Sequence, residues 1–220
     1  STESNTIRLK SDIIRYNLQP VSQKKKETMA APIGISKTQV IDAAEQILTE
    51  KGNMADISLS EVADKTGIRV QSLYAHVDGM NGLRREIALR SLDQLAHTVT
   101  DAALGRSGLT AVAAILQAQL TFAITRPGSF TATIHPPGDD QELRDAIAAV
   151  QRPLDLVLER LGITDPEKTH WTRLVLSSIY GYSLLSRDQQ LTLPVSPESS
   201  GHYLVSVLVS QLKNLTQAST

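Results

Sequence analysis

The stretch that decides the fold is SLSEVADKTGIRVQSLYAHV, residues 58–77. Ser58 and Glu61 have the spacing of a capping box, which opens a short helix, and Gly67 is the type of residue that ends one. A second short helix fits residues 70–77. Two helices of about two turns each, joined by a tight glycine turn, are typical of a helix-turn-helix unit. The stretch therefore predicts two short helices that cross at a sharp turn.

Small and apolar residues within this stretch favour a close crossing of the two helices. Ala63 lies at the predicted crossing point, and Gly67 can adopt the positive φ angle that the turn needs. Val62, Ile68 and Leu73 supply a small apolar core. The other positions of the second helix are polar or short, which suits a helix that lies in the major groove of DNA. These outward residues are Arg69, Gln71, Ser72, Ala75 and His76, with Tyr74 at the edge.

The alternative interpretation is an ordinary helical hairpin, in which Gly67 is only a C-cap and the polar face is only hydrated. The shortness of both helices and an amphipathic helix before them favour DNA binding instead. That preceding helix begins after Ser36, which forms a capping box with Gln39, and it ends at Gly52. Its apolar stripe consists of Val40, Ala43, Ala44, Ile47 and Leu48.

Residues 36–92 resemble the N-terminal DNA-binding domain of the tetracycline-repressor (TetR) family of bacterial regulators. The most diagnostic part is SLYAHV at residues 72–77, and the resemblance covers about a quarter of the chain. The other matching segments are residues 41–48, 50–52, 59–63 and 67–68, with Leu83. The resemblance implies a regulator that binds double-stranded operator DNA as a homodimer and responds to a small-molecule effector.

The same resemblance assigns roles to individual positions of the helix-turn-helix stretch. Some side chains would face base edges, while others would bond phosphates and set the register of the protein on DNA. The expected base-reading residues are Arg69, Val70 and Gln71, and the expected phosphate-binding residues are Ser58, Ser72, Tyr74 and His76.

One position departs from the pattern of the family. Many members have a Lys that contacts the DNA backbone where this chain has Met80, so one phosphate contact is missing. Arg84, Arg85 or the three lysines at residues 24–26 are candidates to replace it. For the lysine run alone, a hydrated charged segment is the favoured interpretation.

Composition narrows the class of protein. The 220 residues are 41% hydrophobic and 4% aromatic, a balance that favours helices packed through aliphatic side chains over a β-sandwich. The absence of Cys excludes disulfides and thiolate metal sites. The net charge is −1, distributed as +3 over residues 1–35, −1 over 36–92 and −3 over 93–220. Net charge therefore does not point to nucleic acid, and DNA binding rests on the local pattern.

The pattern of helix breakers predicts an all-α fold. After the two short helices, helices are expected at residues 82–104, 109–125, 140–150, 153–162, 166–187 and 198–214. We expect three parts: a flexible N-terminal arm over residues 1–35, a helix-turn-helix DNA-binding domain over 36–82, and a helical effector-binding and dimerisation domain over 83–220.

The C-terminal block contains the candidates for an effector pocket and a dimer interface. The pocket candidates are its large aromatic side chains, although such residues are more often core, and His135 is expected to be a loop residue. Apolar stripes on the last two helices predict a four-helix dimer interface. The pocket candidates are Phe122, Phe130, Trp171, Tyr180 and Tyr182, and the stripes are Leu174, Ile179, Leu184 and Leu185, then Leu204, Leu208 and Leu212.

Two other function classes compete with a regulator. An enzyme would have to use His135, Asp139, Asp140 or Glu142, but acidic residues at a helix start are better explained as capping charges. We therefore expect no catalytic residue, metal or cofactor. A helical ligand-binding or adaptor protein that has lost DNA binding is the second alternative. No apolar run approaches the ~20 residues of a membrane span, so a cytoplasmic protein without a membrane partner is expected.

Overall fold

The computed structural model describes residues 34–218, and all regular structure within this range is helical, as predicted. The predicted arm lies outside the described residues, except for its last two positions. A single 3₁₀ turn, Met54–Asp56, follows the first helix. The helices are α1 Lys37–Lys51, α2 Leu59–Thr66, α3 Val70–Leu73, α4 Gly79–Ala103, α5 Gly108–Thr125, α6 Pro127–Ala132, α7 Gln141–Arg160, α8 Glu167–Arg187 and α9 Pro197–Ala218.

Helix α1 has the predicted ends and the predicted buried face. The Ser36 hydroxyl accepts a hydrogen bond from the Gln39 backbone N–H, and the Gln39 side chain accepts one from the Ser36 N–H at 2.8 Å. Gly52 closes the helix in the left-handed conformation, at φ 70°. All five residues of the predicted stripe are buried, together with Ile41. They form a small core with residues of α2, α3 and the start of α4.

Helix α4 connects this core to the rest of the molecule. It begins at Gly79, three residues earlier than predicted, because Gly79 at φ 60° turns the chain directly into the helix and the Gly82 N–H bonds the Asp78 carbonyl. Leu83 and Ile87 belong to the N-terminal core, whereas residues further along α4 join the C-terminal core. The expected boundary between residues 82 and 83 therefore falls inside the first turns of a continuous helix.

The two prolines next to predicted helix ends differ in outcome. Helix α5 ends at Thr125, as predicted, and Pro127 then occupies the first turn of the short helix α6, which was not predicted; a backbone N–H is not needed there. Pro153 does not open a new helix, since α7 is continuous from Gln141 to Arg160 with this proline inside. The carbonyl that loses its partner there belongs to Ala149, which is exposed, so water can reach it.

Helix α5 is the central helix of the C-terminal block. It is long and apolar enough to cross a membrane by length and composition alone, with a mean hydropathy of 1.5 over Gly108–Thr125. Eight of its residues are buried, and it packs against α4, α7, α8 and α9. Core packing accounts for its apolar character.

Candidate functional site

The turn between α2 and α3 has the geometry that the sequence predicts. The Ser58 hydroxyl accepts a hydrogen bond from the Glu61 N–H, while the Glu61 carboxylate accepts bonds from the Ser58 N–H at 3.1 Å and its hydroxyl at 2.8 Å. Gly67 has a φ of 70°, and the Ile68 N–H bonds the carbonyl of Ala63, whose own side chain is buried. Helix α2 thus begins at a full capping box and ends at a left-handed glycine, which forms the turn toward α3.

Helix α3 is shorter than predicted. Only Val70–Leu73 is α-helical, and the chain continues to Val77 through tighter bonds, such as that from the His76 N–H to the Leu73 carbonyl at 2.9 Å. Arg69 at the N-cap makes no side-chain cap bond. Leu73 and Val77 are nevertheless both buried, so the whole segment is anchored to the N-terminal core.

The side chains assigned to DNA contact are on the surface of this segment. Arg69, Gln71 and Ser72 are exposed, and Tyr74 is 60% exposed, which is unusual for a large aromatic side chain. Val70 and His76 are half-buried. None of the five polar side chains between residues 69 and 76 bonds another residue within the described part of the chain. Ser58 differs from them, because its hydroxyl is already engaged with Glu61.

The near-neutral charge of this region comes from nearly equal numbers of basic and acidic residues, and most of the basic side chains are ion-paired. Residues 36–92 contain seven basic side chains, and five of them are paired with carboxylates. Of these seven, only Arg69 and Arg84 make no ion pair with a residue that the structure describes. The paired groups are Lys37 with Glu86, Lys51 with Glu61, Lys65 with Glu50, Arg85 with Glu86, Asp140 and Glu142, and Arg90 with Asp42 and Glu45.

Ion pairing also distinguishes among the residues that could replace the missing lysine contact to the DNA backbone. Met80 is half-buried and packs against the N-terminal core. Arg85 is bound to Asp140 and Glu142 and is therefore not free to reach a phosphate. Arg84 remains as the candidate within residues 34–218, and the lysines at 24–26 lie outside that range.

Two of the acidic residues that an enzyme would need, Asp140 and Glu142, have a structural role. Asp140 caps α7 by accepting a bond from the Leu143 N–H at 3.2 Å, and it is ion-paired with Arg85 of α4. Hydrogen bonding to the Arg85 guanidinium lowers the pKa of Asp140 to about 2. Glu142 bonds the same guanidinium at 2.6 Å. These carboxylates tie α7 to α4.

A cavity of about 460 Å³ lies in the C-terminal block, a volume in the usual range for small-molecule sites. Its walls come from α4, α5, α7 and α8, from Phe130 of α6, and from the loop after α6. Most of the lining is apolar, with the polar groups few and spread over several elements. The apolar lining includes Leu92, Leu95, Val99, Ile115, Val150 and Leu154.

The structure brings together only two of the five predicted pocket residues. Phe130 and Tyr180 both line the cavity, with ring centroids 6.4 Å apart. His135 lies in the loop where it was expected, but it lines the cavity as well. On α8, residues four apart face the cavity, namely Thr172, Leu176 and Tyr180.

The other three predicted pocket residues lie elsewhere. Phe122 is buried beneath Arg126, whose guanidinium carbon is 5.6 Å from the ring centroid. Trp171 is buried in the core, and its indole N–H donates to the Leu208 carbonyl at 3.1 Å. Tyr182 donates its hydroxyl to the Pro197 carbonyl.

Gln119 is the buried cavity residue that the sequence interpretation missed. It belongs to α5 and is 8% exposed, yet it lines the cavity among apolar side chains. A polar residue within the most apolar helix of the chain was the available signal.

The predicted dimer stripes divide into buried and exposed residues. Ile179, Leu208 and Leu212 are buried in the core of the same chain, and therefore do not form a free face. Leu174 and Leu185 are exposed on α8. Leu184 and Leu204 are half-buried. On α9 the exposed apolar residues are Tyr203 and Val207, which were not in the predicted stripe.

Comparisons with known proteins agree with the fold. Residues 112–208 match the family described as "Tetracyclin repressor-like, C-terminal domain". The chain is 28% identical over 157 residues to the HTH-type transcriptional regulator YobS of Bacillus subtilis, which covers 71% of this chain and 82% of YobS. It is also 28% identical over 170 residues to the HTH-type regulator Rv0681 of Mycobacterium tuberculosis, over 76% and 77% of the two chains.

A solved structure shows the same architecture. A TetR-family transcriptional regulator from Streptomyces coelicolor superposes with a TM-score of 0.60 at 16% identity, covering 84% of this chain and 82% of that one. The helix-turn-helix unit, the all-helical fold and these matches point to the same conclusion. The chain is similar to the TetR family of DNA-binding transcriptional regulators, through the family match over residues 112–208 and two relatives at 28% identity.

Proposed function

We propose that this protein is a ligand-responsive repressor that binds a palindromic operator as a homodimer. The observation that carries the proposal is the surface between Arg69 and His76, which combines exposed polar side chains without internal partners and one unpaired cation. Elsewhere in residues 36–92 the basic side chains are mostly neutralised by ion pairs. Polar side chains without an internal partner, on a segment held in place by the buried Leu73 and Val77, are suited to bind an external partner.

The proposed contacts follow from position and exposure. Arg69, Val70 and Gln71 would read base edges, because they lie at the start of the recognition helix. Side chains before and after these three residues in the chain would bind phosphates, and Arg84 of α4 would add a cation. Ser58 would exchange its bond to Glu61 for a phosphate oxygen. The proposed phosphate-binding set is Ser58, Ser72, Tyr74, His76 and Arg84.

The dimer is proposed to form through α8 and α9. Leu174, Tyr203 and Val207 expose apolar surface on these helices. A Cβ at Gly181 would have no atom within 4 Å, so the α8 backbone is open to close approach at that point. Two such helices from each protomer make a four-helix interface. A dimer would place two recognition helices in successive major grooves about 34–36 Å apart.

The cavity is the proposed effector site, and α4 is the proposed connection to DNA. Leu83 and Ile87 of α4 lie in the N-terminal core, while Leu92, Leu95 and Val99 line the cavity. A ligand that displaces the cavity wall would therefore also move the recognition helices. A coupling free energy of ~1–3 kcal/mol is usual between two such sites. Residues 36–82 would then be the DNA-binding domain and residues 83–220 the regulatory domain of a cytoplasmic protein.

A mobility-shift assay on the promoter DNA that flanks the gene tests the proposal. We expect a saturable complex with a palindromic site, and a dimer in sedimentation at micromolar concentration. A dimer that binds no promoter fragment would favour the alternative of a ligand-binding or adaptor protein. A monomer at that concentration would contradict the dimer. By reciprocity, operator DNA should weaken effector binding by the factor with which the effector weakens operator binding.

A further inference from the structure

The charged groups around the cavity restrict what it can bind. No Lys or Arg lines the cavity within the described part of the chain. Asp155 of α7 is the carboxylate in the wall, and it makes no ion pair with another described residue. A ligand carboxylate or phosphate would therefore enter a mainly apolar space without a permanent cation and next to a negative charge, with His135 as the one protonatable base among the described residues of the wall. Burial of an unpaired charge is strongly unfavourable, so this site is unsuited to anions.

The most deeply buried polar group of the cavity is uncharged. Gln119 is 92% buried on α5, and its side-chain amide makes no hydrogen bond to any described residue. Buried polar groups in folded proteins are nearly always hydrogen-bonded. An unpartnered amide in a cavity wall is thus a group prepared for an external partner. A primary amide both donates and accepts, so it matches a carbonyl, amide or hydroxyl group.

We propose that the ligand of this cavity is an uncharged, mainly apolar molecule with one carbonyl, amide or hydroxyl group that hydrogen-bonds Gln119. The inference rests on the assignment of the cavity as the effector site. A neutral ligand fits better than a cationic one. Asp155 is half-exposed and retains water, whereas Gln119 lies among apolar groups such as Ile115 and Leu95.

The test uses four probes that share a ten-carbon chain and differ in the polar group. Decanamide, decan-1-ol, decanoate and decylammonium are titrated at neutral pH into the full chain without DNA, below their aggregation concentrations. The amide and the alcohol should bind at least about tenfold more tightly than decanoate, and more tightly than decylammonium. A tenfold difference is the size expected for one well-placed hydrogen bond.

Two variants test the role of Gln119. In Gln119→Leu the affinity for decanamide should fall about tenfold, because the amide partner is lost. The same variant should melt at a higher temperature without ligand, since the unpartnered buried amide is gone. Gln117→Leu is the matched control. Gln117 is on the same helix outside the cavity, where it bonds Thr121 and His202, and its loss should change decanamide affinity less than twofold.

Three results would overturn the inference. The first is that decanoate or decylammonium binds most tightly of the four probes. The second is that decanamide does not bind. The third is that Gln119→Leu leaves the affinity for decanamide unchanged. None of them bears on operator binding, which the mobility-shift assay measures without ligand. Loss of operator binding with intact decanamide binding would instead contradict the proposed repressor and leave the ligand class standing.

Discussion

The helix-turn-helix unit and the cavity differ in how they are assembled. The unit comes from twenty consecutive residues, in which caps, turn and core positions have set spacings. The cavity takes its residues from five helices and a loop that are far apart in the chain. The helix-turn-helix unit can therefore be identified from the sequence as a motif, whereas the cavity depends on how the helices pack. Spacing reveals a site only when the site is local.

The two regions also treat polar groups differently. Near the recognition helix, ion pairs neutralise most cations and leave Arg69 and Arg84 unpaired. In the cavity, the group without a partner is a buried amide, Gln119. In both places the informative residue is the one that lacks an internal partner.

The largest expected effect concerns the junction between the two regions. Gly128 of α6 packs against α1, and a Cβ there would lie 2.5 Å from the Leu48 carbonyl oxygen and 2.6 Å from Leu48 Cγ. That carbonyl already accepts the capping bond from Gly52. Gly128→Ala should therefore lower the free energy of unfolding by about 2–3 kcal/mol, measured by urea denaturation.

The matched control for this variant is Ser129→Ala, which adds no atom at the next position of α6 and should change stability by less than about 0.5 kcal/mol. Equal stability of Gly128→Ala and the wild type would show that the two regions are not locked together at this point.

The second prediction compares two positions on the recognition surface. Gln71→Ala should weaken cognate binding by about 1–3 kcal/mol, as expected if Gln71 makes a bidentate base contact, and should change sequence preference. Tyr74→Phe should weaken binding to cognate and scrambled DNA alike, because a phosphate bond carries no sequence information. Quantitative mobility shifts on both DNAs measure the difference. An equal loss for Gln71→Ala on both DNAs would contradict its role as a base reader.

The third prediction concerns the ion pair that ties α7 to α4. The pKa of Asp140 is about 2 in the folded chain, against an ordinary value of 3.8, because Arg85 stabilises its carboxylate. The pair therefore contributes stability above pH 3.8, and this contribution disappears as the pH falls to about 2. Asp140→Asn should lower the urea midpoint at neutral pH, with a difference from wild type that shrinks in acid.

Asp139→Asn is the control for this pH dependence, because the Asp139 side chain makes no ion pair with any other residue that the structure describes. Its urea midpoint should follow that of the wild type at every pH. A difference between Asp140→Asn and the wild type that stays constant with pH would refute the electrostatic explanation.

The smallest expected effect is at Ser91 of α4, next to the cavity residue Leu92. Its side chain is fully buried, and its hydroxyl has no hydrogen-bond partner. Ser91→Ala should raise the free energy of unfolding by about 1 kcal/mol, because it removes an unpaired buried group. Ser183→Ala should not be stabilising, since that hydroxyl donates to the Tyr180 carbonyl at 2.8 Å. Thermal or urea denaturation separates the two outcomes.

Local signals in the sequence predicted much of the fold. Both capping boxes, the glycine ends of α1 and α2 and the buried stripe of α1 follow from spacing, because each depends on residues within one or two turns. The wrong prediction at Pro153 and the missed short helix that begins at Pro127 have a different cause. A proline marks either a helix start or a tolerated interruption, and the surrounding packing decides between them.

The candidate sites divide in the same way. The residues proposed to contact DNA were assigned from one contiguous segment, where Arg69, Gln71, Ser72 and Tyr74 are exposed and Val70 and His76 are half-buried. The aromatic residues proposed for the pocket were chosen by size alone, and size does not specify which way a helix faces. Tyr180 and Tyr182 are two residues apart on α8, yet only Tyr180 lines the cavity.

The sequence by itself therefore determined the helical class, the helix-turn-helix unit and the resemblance to the TetR family, because these depend on short-range spacing and on local hydrogen bonds. Only the tertiary structure decided which cations remain free, which aromatic residues reach the cavity, and that a buried glutamine lies in its wall. Ion pairs such as Arg85 with Asp140 join residues 55 positions apart. Contacts at that separation depend on how whole helices pack, and no local pattern in the chain specifies them.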